Sequence, residues 1–381
     1  MEKETTEVMI GWGRSPLEIH LPNRAKVIEA KRSTALQSVS ALLERALQHP
    51  IGTPPLRILL HQHHEICLLV PDETRKDVGA ELLEHLSPLF ANNAVKIGIA
   101  TGKHPYHSED SDRWRHDATA PNLIDVGRTG YGTEVAYPRQ VLKADLRICL
   151  GEIRPHYFAG YAGGAKTLFP GVAGEIGIWK NHTLKAIPGS RLGRVDDNPC
   201  RLDMEEAAAM AGPAFIINVI RASDGSIADI VAGDPIQAHR EGVRRARPYF
   251  EVSMKQRFKT VVISDRLPVT MNLYQACKLL PPAGAILESG GTVILAAECT
   301  DGIGPVETIN EAIYKLGSIH SLPLRHRVIL VSQHSEKLVE PTFAAYAPSI
   351  QSALQMCDSS SLAVIPYGGD LVPRVDEEEG S

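Results

Sequence analysis

The sequence predicts two α/β domains built on mainly parallel sheets, and three observations carry that reading. Short apolar runs, "EICLLV", "AVKIGIA" and "ADLRICLG", alternate with stretches of helical spacing such as "VGAELLEHLSPLF", the rhythm of strand-helix-strand units. Those strands are apolar on successive residues, as expected where helices cover both faces of a sheet. Past residue 255 the pattern starts afresh with "FKTVVISD", "GGTVILAAEC", "RHRVILVSQ" and "SLAVIPYGG". At 381 residues the chain is longer than one hydrophobic core usually serves. We therefore divide it into an N-terminal domain, 1–255, and a smaller C-terminal domain, 256–381.

In chain order, "VMIGWGRSPLEIHLP" alternates apolar and polar residues around a Gly/Pro turn and predicts a hairpin. "TALQSVSALLERALQHP" predicts a helix, and three buried strands follow, each running into a polar loop. "DMEEAAAM" predicts a further helix, "AFIINVI" a strand, and "DPIQAHREGVRRARPYFE" a long helix leading to the boundary. In the second domain "NLYQACKLL" follows the first strand, and the acidic tail "VDEEEGS" reads as a frayed end.

Composition narrows the function. With 43% hydrophobic and 22% charged residues and a net charge of -5, the chain has no basic field for nucleic acid or an anionic membrane. Its start is acidic where a signal peptide would be basic, and it has no run of 18 apolar residues, so a cytoplasmic location is expected. Six cysteines without a C-x-x-C pair read as reduced core residues.

Ligands of open α/β sheets sit beyond the carboxyl ends of the strands. Three strands end there in loaded loops: "PDETR" at 71–75, "TGKHPYH" at 101–107 and "GEIRPHYFAGYAGGAKT" at 151–167. Within the last, "GYAGGAKT" falls one position short of a nucleotide-binding P-loop. Ala165 replaces the required glycine, and Pro170, Gly171 and Gly174 stand where that motif needs a helix. Lys166 therefore needs a role other than a phosphate clamp. The "HQHHE" cluster, read as extended, splits His61 and His63 from His64 and predicts a solvated edge. His104, His156 and His182 differ, because each lies in or just after a strand-end loop.

"PDETR", "ATGKH", "GEIRPHYFAGYAGGAKTLFPGVAG" with "NHTL", "DNPCRLDMEEAA", "GDPIQAHREGV" and "NLYQACK" together resemble the lactate racemase family, the nickel-pincer-dependent 2-hydroxyacid racemases and epimerases. The resemblance runs in order over nearly the whole chain, and the block from Gly151 to His182 is its most specific part. It implies a nickel pincer nucleotide, pyridinium-3-thioamide-5-thiocarboxylic acid mononucleotide, tethered through Lys166 with its nickel held by His182. Soft sulfur donors with an imidazole suit square-planar Ni(II). As a tether Lys166 must react as an uncharged amine, which partial burial favours.

The same resemblance implies His104 and His156 as general acid and base, one for each enantiomer. Hydride transfer to a cofactor avoids a carbanion beside a carboxylate, and the hydroxyl proton must then move too. Arg75 and Lys278, with Tyr274 and Gln275, are implied at the substrate, which places the active site in the cleft between the domains. On a helix Tyr274 and Lys278 share a face and Gln275 is turned away from it. Asp72, Thr74 and Gly164 are implied contacts of the nucleotide. Cofactor-maturation enzymes are the implied partners.

Two departures bear on the substrate. After His104 come Pro105, Tyr106 and His107 where an arginine often follows, and "TFAAYAPSIQSAL" lacks a tryptophan associated with lactate. A larger 2-hydroxyacid, a sugar acid included, fits at least as well as lactate. Two alternative functions use the same residues: a zinc-type hydrolase on His104, His156 and His182, which lacks the usual ligand spacing, and a non-catalytic carrier of the cofactor.

Overall fold

The computed structural model describes residues 5–72, 78–103 and 113–376, which form two compact units. One unit comprises 32–190 and 194–249, and the other 1–31, 191–193 and 250–381.

The first unit is a six-stranded sheet in the order Ile227–Gly233, Ala214–Arg221, Leu146–Glu152, Glu65–Pro71, Ala94–Ala100, Trp114–Arg115. All neighbours are parallel except the edge pair of Ile227–Gly233 with Ala214–Arg221. Alternate residues of Glu65–Pro71 supply two separate cores. Ile66, Leu68 and Val70 pack with Leu42, Leu56 and Leu82 from the helices Val39–Gln48, Leu56–Gln62 and Val78–Leu86. Cys67 and Leu69 pack with Ile178, Met204 and Ala238 from the helices Glu175–Thr183, Pro199–Ala209 and Gln237–Phe250. Burial on both faces is why the strand reads as one continuous apolar run.

The chain leaves Glu65–Pro71 for Ala94–Ala100 on one side and later returns to Leu146–Glu152 on the other. A topological switch point therefore lies between Glu65–Pro71 and Leu146–Glu152, where successive connections diverge and leave a crevice. Asp72 follows one of these strands and His156 the other.

In the other unit a wholly parallel sheet runs Ala345–Ala347, Arg327–Val331, Leu287–Ala296, Phe258–Ile263, Leu362–Ile365, Lys26–Val27. Its edge strand comes from the N-terminus. The predicted hairpin is present, with Thr5–Ile10 antiparallel to Leu17–Pro22. Ile10, Ile19 and Leu21 share a core with Val262, Ile294 and Ile329. A single boundary near residue 255 thus misses the first 31 residues, which belong by packing to the C-terminal unit. Sequence order did not reveal this, since a hairpin's apolar face does not say which core it covers. Among the described residues no helix is long and apolar enough to cross a membrane.

If the hairpin is an integral part of that core, Ile10→Ala should lower stability by about 2–5 kcal/mol, the range for truncating a fully buried isoleucine. Urea unfolding followed by fluorescence would measure it, and a loss near zero would mean the hairpin only rests on the surface.

Candidate active site

The described part of the site is assembled on one face of the first unit, from Glu152 to Lys185. Pro155–His156 pairs antiparallel with Gly160–Tyr161, so the chain folds back immediately after the strand Leu146–Glu152. A short 3-10 turn, Gly164–Thr167, then carries Lys166. The long helix a P-loop needs is absent here, as the sequence predicted. Gly163 and Gly164 take φ of +78° and +64°, a left-handed conformation that side-chain-bearing residues resist. A Cβ on Gly164 would also stand 2.8 Å from the His239 ring.

Phe158 is the hub. Its ring centroid lies 4.6 Å from that of His156 and 5.2 Å from that of His182, both edge-on. Lys166 Nζ is 5.6 Å from the Phe158 centroid and 3.4 Å from His156 Nε2. His156, Lys166 and His182, singled out from the sequence, therefore come together. His156 Nδ1 accepts from the Ala159 amide at 3.2 Å, so in the neutral ring the proton sits on Nε2, towards the lysine.

His182 has the opposite tautomer. On the helix Glu175–Thr183 its Nδ1–H donates to the Ile178 carbonyl one turn earlier, at 2.6 Å, which leaves the Nε2 lone pair available. Burial above all, and then the charge of Lys166, push its pKa down to about 3, with Lys185 and Lys103 adding smaller effects. The ring is a neutral nitrogen donor at physiological pH, as metal ligation requires.

Lys103 and Lys185 were not singled out from the sequence. Lys185 is buried, and burial first, with the Lys103 charge assisting, brings its amine down to about 8. Lys103 Nζ sits over the Trp179 ring, 2.8 Å from its centroid, and 3.9 Å from Glu175. Burial lowers its pKa as well. Three lysines around a neutral imidazole make an environment suited to an anionic ligand. A lysine in a loop looks ordinary in sequence, and only packing brings these three together.

Asp72 is buried at the carboxyl end of Glu65–Pro71. Gly164 N–H donates to Asn218 Oδ1 at 2.6 Å, so that amide is already engaged and a nucleotide would meet the residue's carbonyl or Cα. Thr74, Arg75 and His104 lie outside the described residues.

In the C-terminal unit, Tyr274 and Gln275 fall in the one-turn helix Leu273–Ala276, capped by Asn272 Oδ1 on the Gln275 amide at 2.9 Å. The helix tightens to a 3-10 turn, Cys277–Leu279. Residues three apart then eclipse, and Lys278 Nζ donates to Gln275 Oε1. Gln275 thus meets Lys278, the neighbour three residues on, a pairing that regular helical spacing also allows. Burial raises the Tyr274 pKa, keeping it a protonated donor.

The "HQHHE" stretch is not wholly extended, because His61 and Gln62 form the last residues of the helix Leu56–Gln62, though the cluster remains largely solvated. Among the described residues, one trio of ligand atoms lies close enough to hold an ion, Glu7, Glu18 and His20, exposed on the hairpin. The zinc-type hydrolase reading therefore gains no ligand trio from the described part of this site.

The fold and cluster define an α/β enzyme with reactive groups at a sheet switch point. Residues 11–193 match the lactate racemase N-terminal domain. The chain is 28% identical over 422 aligned residues to lactate racemase from Thermoanaerobacterium thermosaccharolyticum, spanning 96% of this chain and 99% of that one. It is 30% identical over 282 residues to lactate racemase from Lactiplantibacillus plantarum, spanning 69% of this chain and 66% of that protein. The solved lactate racemase apoprotein from T. thermosaccharolyticum superposes with a TM-score of 0.86, over 97% of this chain and all (100%) of that one, at 28% identity. A Thermotoga maritima protein of known structure, 16% identical, shares the fold with a TM-score of 0.63 over 86% of this chain and 100% of its own. The chain belongs to the lactate racemase family, and it is an isomerase.

The His182 pKa sets a sign for acid sensitivity. Between its ordinary 6.5 and about 3 the unfolded chain binds a proton that the folded ring refuses, so acidification through this window favours unfolding. His182→Gln should reduce the dependence of unfolding free energy on pH between 6.5 and 3 by up to about one proton. Equal slopes in the two chains would show that the folded ring binds its proton as readily as the unfolded one, and that burial does not hold it neutral.

Proposed function

We propose that the chain racemises or epimerises a 2-hydroxyacid at C2, using a nickel pincer nucleotide tethered at Lys166 with His182 as the nickel's protein ligand. The convergence of His156, Lys166 and His182 around Phe158 carries the reading. The donor set fits the group. His182 offers a neutral Nε2 fixed in direction by the Ile178 bond, and a pyridinium mononucleotide's phosphate is compatible with the lysine-rich surroundings. Asp72, Thr74 and Gly164 are the proposed nucleotide contacts, and enzymes that build the cofactor are the proposed partners.

When bound, this group supplies a hydride acceptor and donor, so that a 2-hydroxyacid passes to its 2-keto acid and back with either configuration. The protein must then move the hydroxyl proton and hold the carboxylate. His104 and His156 divide the proton transfer, each serving one enantiomer. His156 already presents Nε2–H for return to a substrate oxygen. To accept a proton at Nε2 it must carry the other on Nδ1 and release the long, 3.2 Å contact with the Ala159 amide. Arg75 and Lys278 are assigned to the carboxylate, with Gln275 steering the lysine and Tyr274 donating a hydrogen bond. The relatives are named for lactate. This chain's Pro105-Tyr106-His107 and its missing tryptophan favour a larger 2-hydroxyacid.

Co-expression with cofactor-maturation enzymes should give a nickel-bearing mass adduct on Lys166, absent from Lys166→Ala. Substrate deuterated at C2 should keep most of its label after inversion in ordinary water, and wholesale loss of label would sink the hydride mechanism. His156→Asn should lower kcat by about 10²–10⁴-fold, measured by chiral chromatography across a panel of 2-hydroxyacids.

A further inference from the structure

The segment joining His156 to Lys166 contains Gly160, Gly163 and Gly164, all at positive φ. Such a backbone reaches many conformations, so something must restrict it if its two reactive side chains are to keep their relation. Its carbonyls show what does. Arg201, fully buried on the helix Pro199–Ala209, donates from Nη1 to Gly163 O at 3.1 Å, from Nη2 to Tyr161 O and from Nε to Ala159 O at 3.4 Å. Beside it the fully buried His239 has Nε2 2.9 Å from Ala162 O, where a protonated nitrogen donates. The carbonyls of 159, 161, 162 and 163 are therefore all occupied by two side chains from distant helices.

The charge on Arg201 is answered only weakly. Glu205 lies 3.9 Å away, one turn along the helix, and both its oxygens are taken by Arg240 at 2.7 and 2.9 Å. Arg240 also reaches Asp196 at 2.8 Å. A buried guanidinium spends much of its interaction on desolvation, and well-packed apolar residues often stabilise a fold as well or better. Conformational specificity is what an apolar side chain would not provide, since it cannot select particular carbonyls.

We propose that Arg201 is a positioning residue for the reaction, its forked guanidinium holding the glycine-rich segment so that His156 and Lys166 keep a fixed relation. The roles of His156 and Lys166 in this statement rest on the proposed function, whereas the clamp itself is a property of the chain alone. A lysine cannot replace the fork, because a single ammonium lacks its planar spread of donors.

Hydrogen exchange on the full-length chain without cofactor reads the clamp directly. In Arg201→Lys, amides in 159–168 should exchange about tenfold faster, while the strands Glu65–Pro71 and Leu146–Glu152 keep wild-type protection. Since that variant risks misfolding, the apolar triple Arg201→Met, Glu205→Met and Arg240→Met, which leaves none of the three buried charges without its partner, gives an independent test. It should unfold at a temperature equal to or above wild type, yet show the same local loosening. In the cofactor-loaded enzyme it should lose about 10²-fold in kcat with KM within about twofold. A purely structural role would move stability and kcat together. Wild-type exchange across 159–168 in a folded variant overturns the clamp. Faster exchange alongside a wild-type chain that never acquires an adduct on Lys166 upholds the clamp and overturns the assignment of Lys166.

Discussion

The hydrogen bond from His182 Nδ1–H to the Ile178 carbonyl is the contact on which the proposed chemistry of this site turns. It fixes the tautomer, aims the remaining lone pair and binds the ring to a helix instead of a loop. A protonated imidazole here would meet the charges of Lys166, Lys185 and Lys103, so burial and charge both hold it neutral. On the proposed function this is the nickel's protein ligand, prepared before the cofactor is attached. Such readiness is what the proposed soft-metal site would require of its protein.

The helix bearing His182 matters because of where the sheet places it. Parallel strands buried on both faces leave loops only at their ends, and the divergence of connections between Glu65–Pro71 and Leu146–Glu152 opens space there. Asp72 and His156 enter from the two strands flanking that divergence. Lys166 follows on a turn whose glycines let the backbone pass close to the His239 ring. Topology therefore supplies the location, and the glycines allow the close approach.

Charge is concentrated in this unit at some expense to stability. Arg201, Glu205, Arg240, His239 and Lys185 all lie fully or partly buried near the site, whereas the cores on either side of the sheet are apolar. Such groups lose more hydration than pairing usually restores. Arg201 and His239 touch the segment that carries His156 and Lys166, Glu205 and Arg240 pair beside them, and Lys185 acts on His182. The C-terminal unit makes a smaller version of the same arrangement, where a 3-10 turn brings Gln275 onto Lys278 and steadies a cation on a short helix.

Much of this was legible in the residues themselves. Apolar runs declared parallel strands, and the block from Gly151 to His182 held the two histidines and the lysine that the fold gathers around Phe158. Those signals are local, since period, turn chemistry and motif spacing act over a few residues. Local period also misled at His61, where the preceding helix runs on to Gln62. Tertiary structure alone decided that the N-terminal hairpin completes the C-terminal core, that Lys103 and Lys185 join Lys166, and that Arg201 meets carbonyls some forty residues away in sequence. The physical reason is that burial and electrostatic fields are set by whatever packs nearby, and neighbours in space are fixed only once the sheets have closed on both their cores.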